Sequence, residues 1–177
     1  MMELGTTAPD FTLPDTVSGK DLSLQSLKSD VATVVTFICN HCPYVHHVNQ
    51  KLVEVANHYQ AKGVRFIAIS SNSIQTHPQD APHLMTEVAE HEGYPFPYLY
   101  DESQEVARAY GAACTPDFFV FDGSLKCAYR GRFDETRPNK GVASGADLSE
   151  AIDQLIDGKA PTLHQYPSMG CGIKWKI

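Results

Sequence analysis

Two cysteines with two residues between them, Cys39-Asn40-His41-Cys42, are the part of this 177-residue chain best suited to chemistry. That spacing lets a turn bring the sulfurs into disulfide geometry, so the pair can cycle between dithiol and disulfide. What surrounds it sets its reactivity. The apolar run Val31 to Ile38 ahead of it is β-branched and uncharged, and reads as a strand buried on both faces. Behind it, Val45, Val48, Leu52, Val55 and Tyr59 recur at spacings of three and four, and Lys62-Gly63 is a helix stop. The motif therefore lies where a helix begins, facing unpaired N–H groups and the positive end of the dipole. Such positions can lower a cysteine from about 8.5 to roughly 3.5–7.5. Pro43 suits the first helical position, with Cys42 as N-cap; a helix starting at Cys39 would forfeit one early hydrogen bond. Either start leaves both sulfurs in the first turn. His41 has two readings, an imidazolium that stabilises a Cys39 thiolate or an exposed loop histidine.

The other candidates are dispersed. Five cysteines with one close pair do not form a secreted disulfide framework, and in a reducing compartment such a pair means redox work or a metal. A structural zinc site needs two more ligands and there is no second Cys-x-x-Cys, although His46 and His47 leave copper as an alternative. No cofactor and no resident metal are expected. Cys114 and Cys127 read as small buried hydrophobes. Cys171, between two glycines near Trp175, is either a third redox partner or a tail residue without a role. The remaining histidines, His58, His77, His83, His91 and His164, show no ligand spacing and are expected at the surface.

The elements that position these residues can be read from periodicity. Ala8 to Leu13 alternates like a strand; the turn at Ser18-Gly19-Lys20 and Leu22, Leu24 and Leu27 complete an N-terminal hairpin and a helical turn. Val64 to Ser70 is a second buried strand, giving a β–α–β unit that should cross over right-handedly. A polar loop from Ser71 to Pro82 leads to a helix near His83 to His91, a strand over Phe96–Tyr100 and a helix over Ser103–Tyr110. Phe118–Phe121 and Lys126–Gly131 form a hairpin around Asp122-Gly123-Ser124. Asp147 is the expected N-cap of a last helix carrying Leu148, Ile152, Leu155 and Ile156. The fold class is α/β, a mixed central sheet flanked by helices with an N-terminal hairpin extension. One domain over 1–158 and an irregular tail over 159–177 account for the chain. A formal charge of −7, from 14 basic and 21 acidic residues, argues against nucleic acid as a partner. No segment is long and apolar enough to suggest a membrane, no secretory signal is visible, and a cytoplasmic location is the default.

Thr115-Pro116 ahead of an apolar strand is weak punctuation alone, but with the Cys-x-x-Cys motif it resembles the cis-proline loop of the thioredoxin superfamily. The chain resembles the peroxiredoxin-like (AhpC/TSA) branch in Ala8-Pro9-Asp10-Phe11-Thr12-Leu13, Cys39-Asn40-His41-Cys42-Pro43-Tyr44 and Gly170-Cys171-Gly172-Ile173-Lys174-Trp175-Lys176. The resemblance implies a thioredoxin-like fold and a thiol–disulfide oxidoreductase working on protein or small-molecule disulfides and dithiols. It further implies that the loop carrying Pro116 packs on the disulfide, its backbone pairing with an incoming partner, and that Cys39 attacks while Cys42 resolves. The sequence departs from true peroxiredoxins by placing Cys39 where they carry threonine or serine. Their activating arginine has only Arg130 and Arg132 as candidates, which makes peroxidase activity the lesser reading. A non-enzymatic binding module using the tail for recognition is the rival from another class.

Overall fold

The computed structural model describes residues 1–177. A five-stranded mixed sheet runs in the order β5-β4-β3-β7-β8. Its centre is β3 (Ala32–Phe37), all six residues of which are buried, as an uncharged β-branched run between two covered faces requires. On one side β3 pairs in parallel with β4 (Arg65–Ser70), which pairs in parallel with β5 (Tyr98–Tyr100). On the other side it pairs antiparallel with β7 (Asp117–Asp122), which makes a hairpin with β8 (Cys127–Gly131). The parallel β3–β4 step is bridged by α2 (Pro43–Gln60), whose buried face is Val45, Val48, Leu52, Val55, Ala56 and Tyr59.

Alternation along the strands divides the core in two. Val34, Phe118 and Val120 join α2, α3 (Pro82–Glu92) and α5 (Ala146–Ile156) in a cluster of 26 buried residues. Val35, Phe37, Phe119 and Phe121 face the other way and join a cluster of 17. This second cluster takes in Phe11, just ahead of β1 (Thr12–Pro14), and Leu24 of α1 (Leu24–Leu27), which follows β2 (Asp21–Ser23). It also takes in Ala107 and Tyr110 of α4 (Glu105–Tyr110) and Ile173 from the end of the chain. Tyr110 lies edge-on to Phe119 with ring centroids 5.7 Å apart, and Phe37 meets Phe119 the same way at 5.9 Å. No helix is long and apolar enough to cross a membrane.

Two sequence expectations are corrected. Asp147 does not cap α5. Gly145 is the N-cap, in the left-handed region at φ 69°, with no side-chain cap; Asp134 instead accepts from the Ser144 and Gly145 N–H groups at 2.7 and 2.8 Å and holds the turn ahead of the helix. Asp147 lies inside the first turn and receives Arg132 Nε at 2.6 Å. The segment after Gly158 is not irregular throughout: Cys171–Gly172 form β9, paired antiparallel with β6 (Cys114–Thr115). The Ile173 N–H donates to Ala113 O at 3.1 Å and the Lys174 N–H to Asn72 Oδ1 at 2.9 Å. The Lys174 carbonyl accepts from Ser73 N–H and Gln104 Nε2, and Arg108 lies 4.3 Å from the centre of the Trp175 ring.

Candidate active site

Strand register builds the site. The antiparallel pairing of β3 with β7 sets Phe37 opposite Asp117. Two residues onward from Phe37 and two back from Asp117, Cys39 and Thr115 come alongside, with the Cys39 Sγ 3.5 Å from the Thr115 hydroxyl. The Thr115–Pro116 peptide bond is cis, and Pro116 is buried. Cys42 is the N-cap of α2, with extended backbone (φ −75°, ψ 126°) and Pro43 following it at the start of the helix. Its Sγ lies 3.4 Å from the Thr115 carbonyl, so one residue ahead of the cis bond touches both sulfurs.

Because β4 runs parallel to β3, the loop after β4 emerges at the same end of the sheet. Its single 3-10 turn, Pro78–Asp80, carries a carboxylate beside the motif. Asp80 is fully buried; it accepts from the Asn40 N–H at 2.9 Å and from Asn72 Nδ2 at 3.0 Å, and its Oδ2 lies 2.6 Å from His41 Nδ1. His41 is therefore partnered by a carboxylate and stacks on His77 with centroids 5.2 Å apart, so it is not simply an exposed loop histidine. His77, expected at the surface, belongs to this cluster. The sequence reading also missed Asp80, and named Thr115 only as the residue ahead of Pro116. A buried acid in a polar loop carries no periodic signal, and only its partners reveal it.

Both cysteines are closed off from solvent, at 1% and 0% exposure. Their surroundings are not purely apolar, because Thr115, Asp80 and a third sulfur line them. That sulfur is Cys171, 2.7 Å from Cys42 Sγ. Together these neighbours favour negative charge on Cys42 over Cys39. Its thiol is pushed down to about 4, chiefly by hydrogen donation from Cys39, with burial opposing and with Cys171 and the Val45 N–H donating as well. Cys39 is pushed up, first because its hydrogen is committed to Cys42, then by burial, with Asp80 repelling a second charge. In direction, these shifts run against the expected Cys39 thiolate. The helix N-terminus points at Cys42, while a buried carboxylate stands beside Cys39.

The remaining candidates are engaged elsewhere. His46 Nε2 lies 2.6 Å from the Asn40 carbonyl, and His47 Nε2 lies 2.8 Å from the Thr136 hydroxyl. Arg130 donates to Met2 O and Gln165 Oε1, and Arg132 to Asp147. Cys127 is buried and Cys114 partly so; burial pushes their thiols up to about 11 and about 12. Cys39, His41 and Asp80 bring a sulfur, a nitrogen and an oxygen within 4.8 Å of one another, the nearest approach to a metal-binding set. The Asp80 oxygens are already occupied by the Asn40, Asn72 and His41 groups, and three ligands fall one short of a closed zinc site.

Comparison with known proteins agrees with this architecture. An uncharacterized conserved protein from Geobacillus kaustophilus is 54% identical, with a TM-score of 0.97 over 99% of this chain and 94% of its own. A hypothetical protein from Sinorhizobium meliloti 1021 is 43% identical, with a TM-score of 0.96 over 99% and 96%. The thiol-disulfide oxidoreductase ResA of Geobacillus thermodenitrificans is 28% identical over 159 residues, covering 89% of this chain and 79% of its own. The thioredoxin-like fold is shared at lower identity, as in the peroxidoxin BcpB of Mycobacterium tuberculosis, 20% identical with a TM-score of 0.64 over 90% of this chain and 100% of its own. The AhpC/TSA family model matches residues 4–130, and the chain, with its thioredoxin-like fold, belongs to that family.

Proposed function

We propose that this protein is a thiol–disulfide oxidoreductase whose redox couple is Cys39–Cys42 and whose reduced form carries its charge on Cys42. The observation that carries the reading is the meeting of both sulfurs on Thr115, immediately before the cis Pro116 and at the N-terminus of an 18-residue helix. A thiolate held there attacks the sulfur of a substrate disulfide, expelling the substrate's other sulfur and leaving a mixed disulfide. Cys39 then gives up its proton and attacks Cys42 Sγ, releasing the second substrate thiol. Thr115 and Pro116 position the pair, and the His41–Asp80 contact sets the charge facing Cys39. The name of the ResA relative and the net charge of −7 support a disulfide or dithiol substrate over a nucleic acid. Five unpaired cysteines suit a reducing compartment such as the cytoplasm.

Equilibration with glutathione redox buffers, followed by acid quench and peptide mapping, tests the reading. A Cys39–Cys42 disulfide with a defined midpoint, together with reduction of insulin disulfides, is expected. A wild-type protein that forms no disulfide, turns over no substrate and leaves Cys42 unreactive toward alkylation at neutral pH would overturn it. Hydroperoxide reduction is the second reading, favoured by the lowered Cys42 in the Cys42-Pro43 position. Sulfenic acid trapping at Cys42 after peroxide addition distinguishes it from disulfide exchange.

A further inference from the structure

Cys171 is only half covered by the fold, yet its sulfur lies 2.7 Å from that of Cys42. The approach is a built one. Cys114↔Gly172 and Thr115↔Cys171 pair antiparallel, so β9 occupies the backbone edge of the residue that touches both active sulfurs. An open strand edge of this kind is where an extended peptide adds by main-chain pairing. Gly170 makes the fit possible, since a Cβ there would collide with the Thr115 carbonyl. Beyond β9 the chain is held by Ala113, Asn72, Ser73 and Gln104. Asn72 uses its other end to donate to Asp80, so a single buried side chain joins the docked strand to the cluster beside Cys39.

We infer that Gly170–Gly172 is a built-in occupant of the thiol-exchange edge and that Cys171 is a third redox centre, trading its sulfur with Cys39 for a bond to Cys42. The inference rests on the Cys39–Cys42 couple proposed above. Starting from that disulfide, Cys171 loses its proton and its sulfur attacks Cys42 Sγ. The Cys39–Cys42 bond breaks, the Cys42–Cys171 bond forms, and Cys39 leaves as a thiolate that takes up a proton. The protein remains oxidised by two electrons throughout, so the step needs no reagent beyond the disulfide that oxidised the pair at first. It hands the oxidised state to the tail and returns Cys39 to the thiol form. An incoming partner must displace β9, or accept its disulfide from Cys171.

The test is a thiol map of the intact protein oxidised with oxidised glutathione, quenched in acid and alkylated. Wild type is expected to contain both Cys39–Cys42 and Cys42–Cys171 linkages, the latter reported independently by alkylated Cys39 in protein carrying one disulfide. Cys39→Ser should form Cys42–Cys171 within a single chain, and Cys171→Ser only Cys39–Cys42. Wild type that forms Cys39–Cys42 alone, together with Cys39→Ser that forms no Cys42–Cys171 bond, overturns the relay and leaves the redox couple standing. Wild type that forms no disulfide overturns the couple and the relay with it.

Discussion

The C-terminal strand β9 pairs beside the candidate site, and Gly170→Ala perturbs that docking. Gly170 is outside the left-handed region, so alanine fits its backbone and the cost is steric alone. The added Cβ would fall against the Thr115 carbonyl and within 3.2 Å of Pro116 N, and neither backbone group can swing aside as a flexible side chain would. Overpacking of this kind costs about 1–3 kcal/mol. If the cost falls on the docked state, the ratio of docked to undocked tail drops by about 5–150-fold. Cys39 and Cys42 are shut from solvent when the tail is docked, so alkylation of the reduced protein under fast opening and closing tracks the open fraction. Iodoacetamide labelling of the two should therefore accelerate by the same factor, about 5–150-fold. Gly172→Ala is the matched control, because nothing lies within 4 Å of a Cβ at that position on the same strand. Equal labelling rates for Gly170→Ala and wild type would refute the reasoning, and so would equal acceleration by Gly172→Ala.

Three further outcomes are expected. Asp80→Asn keeps the shape of the side chain but removes the charge facing Cys39; the alkylation profile of Cys39 should move to lower pH, and an unmoved profile would remove Asp80 from the site. Cys42 titrates lower in the folded state than in the unfolded chain, from an ordinary 9.0 to about 4. Its stabilising contribution is therefore full above about pH 9 and is lost as the pH falls toward 4. Cys39 is raised, so it withdraws stability only as the pH climbs above the ordinary thiol range. Chemical denaturation of reduced wild type against reduced Cys42→Ser should show a difference that grows between about pH 4 and 9, and a flat difference would contradict the assignment. Phe119→Ala, at 2% exposure among Phe37 and Tyr110, should cost about 3–5 kcal/mol in urea denaturation, and a loss below about 1 kcal/mol would show that the aromatic cluster collapses into the gap.

What the sequence by itself determined is what neighbouring residues encode. The uncharged run before Cys39 is a strand because both its faces are covered; the three-and-four spacing after Pro43 is α2; and of the two helix starts the sequence left open, the structure takes the one with Cys42 as N-cap. Those local facts placed a dithiol at a helix N-terminus, and Thr115-Pro116 was visible as a candidate partner. Tertiary structure alone decided what surrounds each sulfur and what covers it. Asp80 reaches the motif from 40 residues beyond Asn40, and Cys171 reaches Cys42 across 129. Both contacts follow from strand order and register: β4 beside β3 delivers one loop, and β6 paired with β9 delivers the tail. Periodicity reports which face of an element is buried, but not which distant segment will bury it. The electrostatics of a thiol depend on that second choice, because a carboxylate or another sulfur a few ångströms away outweighs anything its own neighbours in the chain supply.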